Sequence, residues 1–114
     1  MRTTEEQTLE QGVAQSVQDF WESYAGVRPE RVNVIVDQRV IAVWLEQVLA
    51  PAAQQMTNTP TGRLTLQKFG EHILDQARPQ LQQLVAEATG QEVNLAEIHF
   101  DILTGSILGF FRRR

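Results

Sequence analysis

The chain has 114 residues, 42% hydrophobic and 21% charged, the balance of an ordinary globular protein, which excludes wholesale disorder. It contains no cysteine, which excludes disulfides, thiolate metal sites and cysteine nucleophiles, and no apolar run approaches the ~20 residues that span a bilayer. Net charge is −4, which argues against a general nucleic-acid binder, because neutralising phosphates needs clustered Lys and Arg.

The first predicted element is an amphipathic helix. Leu9, Val13, Val17, Phe20 and Tyr24 recur at steps of three and four and share one face. Thr3 and Glu6 have the spacing of a capping box, and Gly26 with Pro29 ends the helix. Val32, Val34 and Val36 then alternate with polar residues as a half-buried strand, with a turn expected at Asp37-Gln38. The return strand, 39–45, is apolar on both faces: Val40, Ala42 and Trp44 on one, Ile41, Val43 and Leu45 on the other. Such a strand needs cover on both sides.

Pro51 opens a short helix reaching Met56, and Asn58-Thr59-Pro60-Thr61-Gly62 reads as a turn-rich connector. A long helix follows, with Leu66, Phe69, Ile73, Ala77, Leu81, Leu84 and Ala88 as its buried stripe, and Pro79 is expected to kink or divide it. Thr89-Gly90 ends it. Ala96, Ile98, Phe100 and Ile102 alternate with Glu97, His99 and Asp101, Thr104-Gly105 turns the chain, and Ile107 to Phe111 returns as a second strand apolar on both faces.

Laying Gly26 on Gly90 brings Val34 onto Ile98, Val36 onto Phe100 and Asp37 onto Asp101. A helix-then-hairpin unit is therefore used twice, by duplication or by a chance of topology. The order α-β-β-α-β-β predicts an α+β fold, one domain over 1–114, with a four-stranded antiparallel sheet and the helices packed on one face. Helices on one face leave Ile41, Val43, Leu45, Leu108 and Phe110 expected on the other as an apolar patch. Such a patch marks an interface, most simply that of a homodimer. The alternative is that the segment 51–61 folds across that face.

The run Gly26-x-x-Pro29-x-x-Val32, the stretch Leu45-Glu46-x-Val48-Leu49-x-Pro51, Arg78-Pro79-x-Leu81 through Thr89-Gly90, and His99-x-Asp101-Ile102 before a Thr-Gly turn together resemble the MpsC-like family of bacterial proteins, over about residues 9–111. The family takes its name from a proposed sodium-translocating, membrane-potential-generating system, whose other components belong with membrane uptake of inorganic carbon. The resemblance implies an accessory or regulatory partner of a membrane ion or bicarbonate system. The chain departs from the family pattern at Arg28, where a second Gly is frequent, and at Gln47, Ala50 and Ala53-Gln54, where Gly, Thr and a Glu-Lys pair are usual.

Three constellations bear on chemistry. Glu97, His99 and Asp101 project from one strand face at two-residue spacing, but no second His or Cys cluster completes a metal set, so neither a metal nor a cofactor is expected. His99 or Asp101 pairing with Arg28 or Arg39 across a dimer is a stronger reading, and a His there would make the pairing pH-sensitive. Arg112, Arg113 and Arg114 beside Phe110 and Phe111 could hold an anionic partner such as lipid headgroups, or could simply keep an apolar strand soluble and blunt its edge. No phosphate loop or nucleophile elbow is present. The expected function is a non-enzymatic, homo-oligomeric interaction module, cytoplasmic because the N-terminus lacks a signal-peptide layout, with a membrane-associated protein partner. A small nucleic-acid-binding domain is the alternative.

Overall fold

A computed structural model describes residues 3–114. Helix α1 (Thr4–Ala25) begins with a reciprocal cap: the Glu6 amide donates to Thr3 Oγ1 at 3.1 Å, and the Thr3 amide donates to Glu6 Oε1 at 2.9 Å. Gly26 ends it in the left-handed conformation at φ 78°, where an L side chain would be strained. Hairpin β1 (Arg31–Val36) and β2 (Val40–Glu46) follows, then α2 (Pro51–Met56), α3 (Pro60–Thr89), and hairpin β3 (Val93–Asp101) and β4 (Ser106–Arg113). The strands form one antiparallel sheet in the order β1-β2-β4-β3, with α1 packed on β1, α3 on β3, and the two helices on each other. This is the predicted α+β class with its four-stranded antiparallel sheet.

Several boundaries differ from expectation: β3 runs from Val93 to Asp101 where a strand from Ala96 to Ile102 was expected, and three more differ for local reasons. The first turn is Gln38-Arg39, one residue later than expected, because the Asp37 carboxylate accepts the Arg39 amide at 3.0 Å while the Asp37 amide bonds the Val40 carbonyl at 2.9 Å. The connector before α3 shrinks to 57–59. Pro60 is the first helical residue, where its missing N–H costs nothing, and Thr59 caps the helix by accepting from the Gly62 amide at 3.0 Å. Helix α3 also runs through Pro79 undivided. Pro79 and Asp75, whose carbonyl loses its helical donor, are both exposed, so water can serve that carbonyl, while Leu74, Ala77 and Leu81 anchor the opposite side.

The core lies between the two helices and the inner sheet face. Val13, Val17 and Trp21 of α1 meet Leu74, Ala77, Leu81 and Val85 of α3 over Val34, Val36, Val43, Leu95, Ile107 and Phe111. Ile41, Val43 and Leu45 belong to this core, with Ile41 fully buried. The expectation that they face outward is therefore corrected. The ladder pairs Val36 with Ile41 and Val34 with Val43, and directly opposed residues share a face. Slipping one residue would expose all three, at ~2 kcal/mol for each buried side chain, so the register is firmly set.

The buried positions also repeat. Gly26 and Gly90 stand 64 positions apart, and the same step carries Glu10, Val13, Val17 and Trp21, the buried residues of α1, onto Leu74, Ala77, Leu81 and Val85, four of the six buried residues of α3. The two hairpins differ in their turns: four residues, 102–105, separate the paired Asp101 and Ser106, whereas two, Gln38-Arg39, separate Asp37 from Val40, whose carbonyl accepts the Asp37 amide.

Candidate functional site

The outer face of the sheet follows from strand alternation once the inner face is fixed. Across its centre, Ile35, Ala42 and Phe110 form one row that ends at Glu97, and Asn33, Trp44, Leu108 and His99 form the next. Val40, Arg112 and Asn94 form a third row at one end. Ile35, on the edge strand β1, is 53% exposed, and Trp44, on the inner strand β2, is 49% exposed, a large value for such a side chain in mid-sheet. Leu108 and Phe110 are half-buried on this face, where they were expected; Ile35, Val40, Ala42 and Trp44 take the places assigned to Ile41, Val43 and Leu45. The strip is apolar over β2 and β4, reaches β1 only at Ile35, and is polar around its rim.

Helix α2 does not cover this strip. It packs against α3 and turns Ala53 toward the helical side of the molecule, so the alternative of a segment folded across the outer face is not realised. The sheet edges are a different matter, because each is occupied by side chains from its helix. On β1, the Val36 amide donates to Glu10 Oε2 at 2.8 Å, a carboxylate that is 9% exposed. On β3, a bulge between Leu95 and Glu97 breaks the ladder, Arg78 Nη2 donates to the Leu95 carbonyl at 2.8 Å, and Gln82 Oε1 accepts the Leu95 amide at 2.8 Å. Bulges and edge-capping side chains disfavour strand addition. The face is open where the edges are obstructed.

The remaining predicted residues scatter. His99 Nε2 lies 3.5 Å from Glu97 Oε2 on its own strand, and Asp101 Oδ1 accepts the Leu103 amide at 3.0 Å, so Asp101 shapes the turn. Among the described residues, no group of three or more His, Asp or Glu side chains is placed to hold a metal. Arg28, expected to pair across a dimer, is engaged within its own chain: Nη1 lies 3.2 Å from Asp19 and 3.1 Å from Glu22, and Nη2 donates to Gln18 at 3.1 Å. Hydrogen bonds from Gln15 and then Arg28 hold the Asp19 carboxyl below its ordinary range, and Asp19 foremost raises the Arg28 guanidinium.

The three terminal arginines do not act together. Arg112 is exposed on the outer face beside Val40. Arg113 staples two segments, donating from Nη1 to the Asp37 carbonyl at 2.6 Å and from Nε to Gln91 Oε1 at 2.8 Å. Arg114 sits 3.9 Å from Glu92. Strand β4 thus continues through Arg113, and the expected tail is largely sheet.

No described helix is long and apolar enough to cross a membrane. Comparison with curated proteins and with solved structures gives no match. The family described as "Na+-translocating membrane potential-generating system (MpsC)" matches residues 5–111, which takes in both helix-and-hairpin units from the first turn of α1 to the buried Phe111 of β4. The resemblance carried by the Gly26, Pro51, Pro79 and His99 motifs thereby extends over nearly the whole fold, and the chain belongs to the MpsC family.

Proposed function

We propose that the chain is a non-enzymatic interaction module that self-associates through the outer face of its sheet, and that it serves as an accessory or regulatory component of a membrane ion system of the kind its family is named for. The carrying observation is the uncovered strip of Ile35, Val40, Trp44, Leu108 and Phe110, combined with helix side chains on both edge strands. Apolar surface loses most from contact with water, so a face of this kind is stabilised by burial against another surface. Its polar rim suits self-association: Arg112 lies at one end of the strip, and Asp101 lies toward the other, across the sheet. Two copies packed face to face about a two-fold axis can set these against each other. The family description and the lack of a membrane-crossing helix among the described residues support the accessory role. Nucleic acid fits the face less well, because Glu46 lies two residues along from Trp44 on the same strand face and Glu97 lies directly opposite Phe110.

Sedimentation equilibrium tests the reading. The wild-type chain should show twice its 12.9 kDa mass, and Trp44→Glu or Phe110→Glu should sediment as monomers with an unchanged far-UV circular dichroism spectrum. A wild-type monomer at the highest soluble concentration, or dimers indifferent to both substitutions, would overturn it.

A further inference from the structure

The bulge in β3 decides which side chains reach the rim of the outer face. Leu95 is buried on the inner face, and unbroken alternation would carry residues 97, 99 and 101 inward with it. The bulge leaves Ala96 unpaired and reverses the order, so that Glu97, His99 and Asp101 stand opposite Phe110, Leu108 and Ser106 on the outer face. His99 thereby closes the row of Trp44 and Leu108. Its Nε2 lies 3.5 Å from Glu97 Oε2, and both side chains are 65% exposed. The charges around this imidazole are few. Glu97 and Asp101 flank it on β3, and the neighbouring strand β4 presents Leu108, Ser106 and Phe110 beside it, none of them charged. Helices α1 and α3 pack on the other side of the sheet, and Arg112 stands at the far end of the face, opposite Asn94. Among the described residues, no Lys or Arg is paired with Glu97 or Asp101. With His99 neutral, this rim carries two carboxylates and no cation beside them; with His99 protonated, Glu97 gains one.

We propose that His99 makes self-association through the outer face pH-dependent, its protonated imidazole pairing with Glu97 and tightening the contact between two copies as pH falls. The proposal rests on the self-association inferred above. Two sheets packed face to face keep their strands roughly aligned, so a two-fold axis lays the β3 rim either on the β3 rim of the second copy or on its β1 rim. The first arrangement brings the carboxylates of both copies together. The second sets Glu97 toward Ile35 and His99 toward Asn33, neither of which carries a charge. In both, drying the rim costs more when Glu97 has no cation beside it, and a proton on His99 supplies one. The sign is therefore the same for either axis. The associated form holds the proton more tightly, so association strengthens as pH falls and is weakest where His99 is neutral. Histidine is the side chain that ordinarily changes charge between about pH 5 and 8, a range in which ordinary carboxylates are already ionised.

Sedimentation equilibrium at about pH 6 and about pH 8, at low ionic strength, tests the proposal. The wild-type dissociation constant should be about three- to tenfold lower at the acidic pH, the size expected of two exposed pairs, one on each copy. His99→Gln should keep its far-UV spectrum and lose most of that difference. His72→Gln, which changes the chain's other histidine on the exposed side of α3, should retain it. Glu97→Gln removes the charge that the proton answers, so it should associate more tightly than wild type at the higher pH and gain little on acidification. Wild-type dimers of equal affinity at both pH values that remain sensitive to Trp44→Glu would overturn the role of His99 and leave the interface standing. A pH dependence undiminished in His99→Gln would do the same. A wild-type monomer at both pH values would overturn the interface and its pH dependence together.

Discussion

Gln47 is the only non-glycine among the described residues with a positive φ, 58°, and it sits where β2 hands over to α2. A left-handed conformation costs an L-residue ~1–2 kcal/mol. The loop cannot relax it away, because Val48 beside it is buried and its amide is held to the Gly105 carbonyl at 2.9 Å. Gln47→Gly should therefore raise stability by about 0.5–1 kcal/mol, part of the relief being offset by the greater freedom of glycine when unfolded. A higher urea midpoint at constant slope would show it. The family resemblance, which puts Gly at this position, points the same way. Gly70 presents the reverse case: the Phe100 ring lies against it, and a Cβ there would overlap ring carbons. Gly70→Ala should cost about 1–3 kcal/mol by overpacking, read by the same denaturation. A different measurement applies at Asp19. Its carboxyl is held down in the folded state, so its contribution to stability is present above the ordinary carboxylate range and is lost as pH falls through the lowered value. Arg28→Ala should raise the Asp19 midpoint in a carboxyl NMR titration only part of the way, because the Gln15 hydrogen bond, the larger cause, remains.

At the scale of elements, the helices, the caps and the succession of helices and strands along the chain were legible because each rests on a local pattern: period 3.6 or 2, Thr3 with Glu6, and glycine after the last turn. The facing of β2 was legible too, through an argument the alternation alone does not supply. Any hairpin loop of two residues pairs even positions with odd ones, so buried Val34 and Val36 oblige Ile41, Val43 and Leu45 to share their face wherever that turn is centred. Reading β2 by itself leaves its two apolar faces indistinguishable. The bulge in β3 was not legible, because nothing local in Leu95-Ala96-Glu97 requires it; it depends on Arg78, reaching from α3 to the Leu95 carbonyl. Arg78→Met keeps the aliphatic stem and removes the donors. It should cost about 1–2 kcal/mol and speed amide exchange along β3 while α1 and β1 stay protected.

At the scale of the whole molecule, the repeat and the exposed strip are one arrangement. Each helix lies on the first strand of its own hairpin, and the two second strands, β2 and β4, meet at the centre of the sheet. Both second strands are apolar on both faces, so a single packing of helices leaves the other face of each bare, side by side, as one continuous strip. The strip has a centre and a rim, and these should differ in energy if the face is an interface. Trp44 and Phe110 occupy its middle, where neighbouring contacts exclude water, whereas Arg112 lies at its border. Trp44→Glu should weaken self-association at least ~100-fold, as loss of a central aromatic together with burial of an unpaired charge does. Arg112→Glu should weaken it no more than about fivefold, and that loss should fade in high salt, because an exposed charge pair is worth ~1 kcal/mol or less and is screened. Dissociation constants from sedimentation at two ionic strengths separate the two effects. Equal losses from both substitutions would mean that charge, and not the apolar strip, holds the copies together.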